Sequence, residues 1–170
     1  PMLGTEMEAP KFAEPPLPQA AERMRVLVLG AGVGGMEVAR LAAARGHDVE
    51  VWERAAEPGG QIHLAVAAPD KEEVRPLWTW RHDQAIALGV RLRCGVDATP
   101  ELIQAHAPDH VVLATGARPR PLALPGATPL QAWDVILDPS LVPDGATVAI
   151  IGGGIVGLEA SEVLALRRCR

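Results

Sequence analysis

Apolar and polar positions run along this chain in blocks. Residues 26–29, Val-Leu-Val-Leu, make a continuous apolar run suited to a strand buried on both faces. Met36, Val38, Ala39, Leu41 and Ala42 then recur at helical spacing as far as Gly46, and Val49-Glu50-Val51-Trp52-Glu53 resumes as a strand. Residues 69–88 read as a helix with Asp70 as its cap and Pro76 as a kink or restart. Residues 89–94 alternate as a third strand, Thr99-Pro100-Glu101 opens a short helix through His106, and the apolar strand from Val111 stops at Ala114-Thr115-Gly116. A proline-rich stretch follows from 117 to 141, with a short helical connection at 133–136. Thr147–Ile151 then starts the strand, turn and helix order a second time, the helix carrying Leu158, Val163, Leu164 and Leu166. Strands alternating with helices predict an α/β fold around a parallel sheet.

The turns in this pattern are where the chemistry lies. Gly30, Gly32 and Gly35, with Ala31 and Gly34 among them, stand between the first strand and its helix at the spacing G-x-G-x-x-G. The first glycine permits a tight turn, the second lets a pyrophosphate approach the backbone, and the third lets helix and strand pack closely. Peptide N–H groups and the positive end of the helix dipole then face an anion without any lysine. Glu53, with Arg54 beside it, follows Gly30 by 23 residues at the end of the second strand. That is the expected place for the acid that accepts hydrogen bonds from an adenosine ribose. A charged acceptor repels a 2′-phosphate, so the site is expected to prefer FAD or NAD over NADP.

Gly59, Gly60 and Gln61 read either as a plain loop or as a second backbone segment against the far end of an extended dinucleotide. Thr115 and Gly116 either end a strand or place small residues at a ligand-binding sheet edge. Gly152, Gly154 and Gly157 repeat the fingerprint, and the chain stops before the strand whose last residue would choose between NADH and NADPH. Trp78 and Trp80 read as packing residues. His82 and Asp83 are sequence neighbours whose side chains diverge by about 100° on a helix, which argues against a catalytic pair.

Composition narrows the picture further. The formal charge of −5 argues against a nucleic-acid or anionic-membrane partner. Cys94 and Cys169 have no CxxC or metal-ligand spacing, so neither a redox disulfide nor a metal site is indicated. No apolar run reaches the roughly 18 residues of a membrane span and the leader lacks a signal-peptide pattern, which leaves a cytoplasmic address as the expectation. The 170 residues have room for one domain and a little more. The expected division is an extended linker over 1–24, a first Rossmann-like FAD-binding domain over 25–120, a connection over 121–145, and the first strand and helix of an inserted nicotinamide-binding domain over 146–170. That last piece cannot cover its own strand, so the chain is expected to be part of something longer.

Two fingerprints about 120 residues apart, with EPGGQ and ATGARPR between them, resemble the flavoproteins with two dinucleotide-binding domains. The segments PMLGTE at 1–6, GAGVGGMEVAR at 30–40, GGQIHLA at 59–65, PDKEEV at 69–74 and VVLATGARPR at 111–120 are similar to the carboxyl-terminal half of one branch of the old yellow enzyme relatives, that of trimethylamine dehydrogenase, 2,4-dienoyl-CoA reductase and N-methyl demethylase. The resemblance implies FAD at Gly30, Gly32, Gly35, Glu53, Gly60, Gln61, Lys71 and Gly116, and NAD(P)H at Gly152, Gly154 and Gly157. It also implies an amino-terminal barrel of the same polypeptide that carries FMN, a 4Fe-4S cluster and the small-molecule substrate, with reducing equivalents passing between NAD(P)H and those centres. Cofactors carry that chemistry, so no catalytic side chain is named. An oligomer is compatible with it. Val33-Gly34 departs from the branch, which commonly has Pro-Ala there. Alternatives are a free-standing FAD and NAD(P)H reductase of a ferredoxin-like partner, and a scaffold holding only ADP. The isolated fragment is expected to bind FAD poorly and to turn over little NAD(P)H.

Overall fold

A computed structural model of the chain describes residues 17–170. The amino-terminal part of the expected linker, including PMLGTE, lies outside the described residues. Within 17–24 there is no helix or strand. Gln19 donates its side-chain amide to Ala44 O at 2.9 Å, and the Ala20 N–H donates to Arg45 O at 2.9 Å.

Two compact units make up the chain. The first holds Val74–Gly116 together with the described residues up to Ile62, and the second holds His63–Glu73 and Ala117–Arg170. Segment 63–73 thus sides with the second unit, although the sequence-based boundary keeps it in the first.

In the first unit β1 (Arg25–Leu29), β2 (Asp48–Trp52), β3 (Arg91–Arg93) and β4 (His110–Leu113) form a wholly parallel sheet in the order β3-β2-β1-β4. The register pairs Val28 with Val51 on one side and with Val112 on the other. Helix α1 (Val33–Ala44) joins β1 to β2 as a parallel crossover requires. Val26, Val28, Val49 and Val51 face Met36 and Ala39 of α1 and Ala85 of the helix Pro76–Ala87. Leu27, Leu29 and Trp52 face the other way, against Val96, Ala98 and Ile103. The continuous apolar run of β1 therefore has a direct cause, since both of its faces are covered. Each such fully buried leucine or valine contributes roughly 1.5–3 kcal/mol relative to exposure.

Numbering the remaining helices in order, α2 is Ile62–Ala67, α3 Pro76–Ala87, α4 Pro100–His106, α5 Ala132–Leu137 and α6 Ile155–Leu166. Helix α4 starts as the sequence implies, with the Thr99 hydroxyl accepting from Leu102 N–H at 3.3 Å and Pro100 in the first turn. Two expectations fail nearby. Asp70 is not a helix cap, because its φ is +55° and a 3-10 turn over Glu72–Val74 intervenes before Pro76 starts α3. Helix α2 was not expected at all.

The second unit packs Ala68, Ile136, Ala160 and Val163 together, and separately Val135, Val142 and Leu164. The strand expected over 147–151 is absent. Strand geometry needs a ladder of hydrogen bonds, and among the described residues this segment joins no sheet, its Val148 N–H donating to Arg170 O at 2.7 Å. Its helix α6 forms nonetheless.

Candidate functional site

The first fingerprint adopts the expected turn. Gly30 has φ +107°, and a Cβ there would run into the Ala114 carbonyl of the neighbouring strand. Gly35 meets a different constraint, since a Cβ on it would collide with the Gly30 carbonyl beneath the helix. Gly32 and Gly34 differ from both. A Cβ on Gly32 would come no nearer than 3.9 Å to Gly59 O, and a Cβ on Gly34 would meet nothing within 4 Å. Space over the loop is open where a pyrophosphate would lie, and the first turn of α1 has no side-chain cap.

Glu53 reaches this loop from the end of β2. Its Oε2 accepts the Ala31 N–H at 2.8 Å and its Oε1 accepts the Ala55 N–H at 2.8 Å. A carboxylate offers about four acceptor positions, so two such bonds fix its direction and leave capacity for a diol. The fit of an adenosine diphosphate rests on this carboxylate and the open space over Gly32 and Gly34. Arg54 is exposed beside it.

Gly59 and Gly60 pack on the fingerprint itself. The Gly59 N–H donates to Ala31 O at 3.0 Å, and a Cβ on Gly60 would stand 3.2 Å from Gly32 Cα. Gln61 follows, with its Nε2 3.4 Å from where a Gly116 Cβ would be, so the turn after β4 and the turn after β2 are neighbours. Thr115 and Gly116 are exposed, with Gly116 at φ +73°. Gly30, Ala31, Gly32, Gly34, Gly35, Glu53, Gly60, Gln61 and Gly116 are thus gathered at the carboxyl ends of β1, β2 and β4, where open parallel sheets bind ligands. Lys71 belongs to the second unit, where its ammonium pairs with Glu159 at 3.3 Å.

Trp78 has a polar contact that its reading as a packing residue misses. From α3 its indole Nε1 donates to Ala31 O at 2.9 Å, and its ring stacks on His82 with centroids 4.9 Å apart. The signal available in the sequence was general, in that a Trp packed in a core needs a partner for its N–H. His82 Nδ1 lies 3.0 Å from Asp83 Oδ1, a contact between sequence neighbours despite their 100° offset on the helix. That contact is at the surface, with the Asp83 side chain 74% exposed.

In the second unit the other fingerprint has the same internal geometry. Gly152 has φ +111°, a Cβ on Gly157 would collide with Gly152 O, and a Cβ on Gly153 or Gly154 would meet nothing within 4 Å. Gly154 caps α6 and accepts the Leu158 N–H at 3.0 Å. Among the described residues no helix is long and apolar enough to cross a membrane.

The chain is 39% identical over 165 residues to a metal reductase of Desulforamulus reducens, covering 93% of this chain and 24% of that protein. It is 38% identical over 152 residues to an NADH oxidase of Thermoanaerobacter brockii, covering 86% and 23%. Among solved structures, 2-naphthoyl-CoA reductase in complex with 2-naphthoyl-CoA superposes with a TM-score of 0.75 at 35% identity, covering 88% of this chain and 23% of that one. The chain therefore spans about a quarter of the length of the curated relatives it matches. A probable N-methylproline demethylase of Rhizobium meliloti, 37% identical over 150 residues, bears out the resemblance to the demethylase and reductase branch. The family model for pyridine nucleotide-disulphide oxidoreductases matches residues 24–170, and the chain belongs to that family.

Proposed function

We propose that this chain is the FAD- and NAD(P)H-binding electron-transfer module of a larger flavin-dependent oxidoreductase. Its first fingerprint and Glu53 hold the adenosine diphosphate half of FAD. The second fingerprint, at Gly152, Gly154 and Gly157, receives the phosphates of the nicotinamide nucleotide. FAD supplies two-electron acceptance and one-electron release, and the chain's own residues bind, orient and discriminate. The onward acceptors are FMN and 4Fe-4S centres on a barrel of the same polypeptide, a reading supported by relatives of about four times this length.

The observation that carries the proposal is the Glu53 carboxylate, held at the lip of an open glycine loop by the Ala31 and Ala55 N–H groups. Hydrogen bonds to a charged acceptor contribute about 1.5–3 kcal/mol, so Glu53→Ala is expected to weaken ADP binding at least about ten-fold. Calorimetric titration with ADP and with 2′,5′-ADP checks this. The original chain should favour ADP, and the variant should lose most of that preference. Equal binding of ADP by both proteins would remove the proposal. Purified longer protein with flavin absorption near about 450 nm supports FAD, whereas colourless protein releasing ADP supports the scaffold reading.

A further inference from the structure

We infer that Trp78 is a positioning residue for the dinucleotide loop, acting through the peptide plane between Ala31 and Gly32. The inference rests on the ADP-binding reading of that loop.

The Ala31 carbonyl takes two donors, the Gly59 N–H at 3.0 Å and the Trp78 indole N–H at 2.9 Å. That carbonyl and the Gly32 N–H belong to one planar peptide unit, and the described chain has no cis peptide bonds. In a trans peptide the two groups point to opposite sides, so whatever fixes one fixes the other. Two donors on the carbonyl therefore fix the Gly32 N–H on the side of the peptide opposite the Gly59 N–H and the Trp78 indole. The preceding peptide is held as well, with the Ala31 N–H on Glu53. One rigid side chain thus links α3 to the orientation of an anion-binding N–H. Preorganisation of this kind raises affinity by cutting the ordering cost of binding.

The indole is itself held. Its ring stacks on His82 at an interplanar angle of 27°, and α3 packs on α1, whose amino-terminal turn is the loop's helix. Phenylalanine at position 78 keeps the aromatic packing and removes the donor, while the Gly59 N–H still satisfies the Ala31 carbonyl. Trp78→Phe is thus expected to leave the fold intact.

The test titrates the full chain and Trp78→Phe with ADP and with adenosine, followed by amide NMR. Loss of one neutral hydrogen bond predicts ADP affinity reduced roughly two- to ten-fold, adenosine affinity unchanged, and a displaced Gly32 amide resonance. An equal loss for both ligands assigns Trp78 a general structural role and overturns the inference. If the original chain binds no ADP, the functional reading falls. If it binds ADP and the variant keeps the same ADP-to-adenosine ratio, that reading survives and only the role of Trp78 falls. A measurement on the original chain alone covers the case of an unfolded variant. The Trp78 indole N–H should exchange with solvent far more slowly than an exposed indole, and fast exchange would overturn the inference.

Discussion

Within one turn of helix, two glycines of the same motif answer to different constraints. A methyl group on Gly35 meets the Gly30 carbonyl, part of a backbone that is itself fixed against Ala114, whereas a methyl on Gly34 meets nothing within 4 Å. Gly35→Ala is expected to destabilise the chain by about 3 kcal/mol or more, since neither backbone segment can yield. Gly34→Ala is expected to be neutral or to stabilise by up to about 1 kcal/mol, because it removes the entropic disadvantage of glycine in a helix. Urea unfolding of the two variants checks the contrast, and equal effects would show that the strand and helix approach less closely than described. These glycines were legible in the sequence because their demand is local, fixed by residues five apart. The Trp78 contact was not, because its acceptor lies 47 residues away. Lys71 pairs with Glu159, a partner far along the chain that no local pattern indicates.

At the level of the strand, β2 carries an acid where its neighbours are apolar. Glu50 is buried on the face shared with Trp52, whose indole N–H donates to it at 2.6 Å, and Arg91 of β3 donates at 3.3 Å. His106 of α4 lies 3.7 Å away and Arg93 3.5 Å away. Burial pushes the carboxyl pKa up, but the Trp52 hydrogen bond together with the charges of His106 and Arg91 outweighs it, and the net shift is downward. The sign of the pH effect follows. The unfolded chain takes up its proton near the ordinary Glu value of about 4.3, the folded chain only below that, so the stabilisation is complete above the unfolded value and is lost as pH falls through the folded one. Glu50→Gln is expected to lower stability by about 1–2 kcal/mol at neutral pH, since the arginines it leaves are half-exposed rather than buried. The difference from the original chain should shrink toward zero on acidification, as denaturant midpoints across a pH series would reveal. A constant difference would assign the effect to packing instead. The alternation of β2 was readable from its residues, but the cluster was not, because it depends on the register that sets Arg91 beside Glu50.

For the chain as a whole, the two units differ in how completely their secondary structure is paired. β1 is hydrogen-bonded on both sides and covered on both faces, so its amides should exchange only with unfolding of the first unit. Segment 147–151 has the same apolar composition. Its Val148 N–H reaches Arg170 O at 2.7 Å, but the segment joins no sheet among the described residues, and Ile151 is 64% exposed. Amides 149–151 are therefore expected to exchange orders of magnitude faster than amides 26–29, a difference composition alone would not produce. The helix that follows shows Leu158 at 63% and Leu166 at 74% exposure, two turns apart on α6. Exposed apolar surface of this kind drives association. Replacing Leu158 and Leu166 by Gln is expected to reduce concentration-dependent association in sedimentation experiments while leaving ADP affinity at the first fingerprint unchanged. Persistent association in the double variant would move its cause elsewhere, with Leu113 on β4, 75% exposed, as the next residue to replace. The order of those two tests is physically motivated. Leu113 lies on a strand with one edge unpaired among the described residues, where backbone pairing adds to side-chain burial, so a Leu113 variant would diminish association without abolishing it.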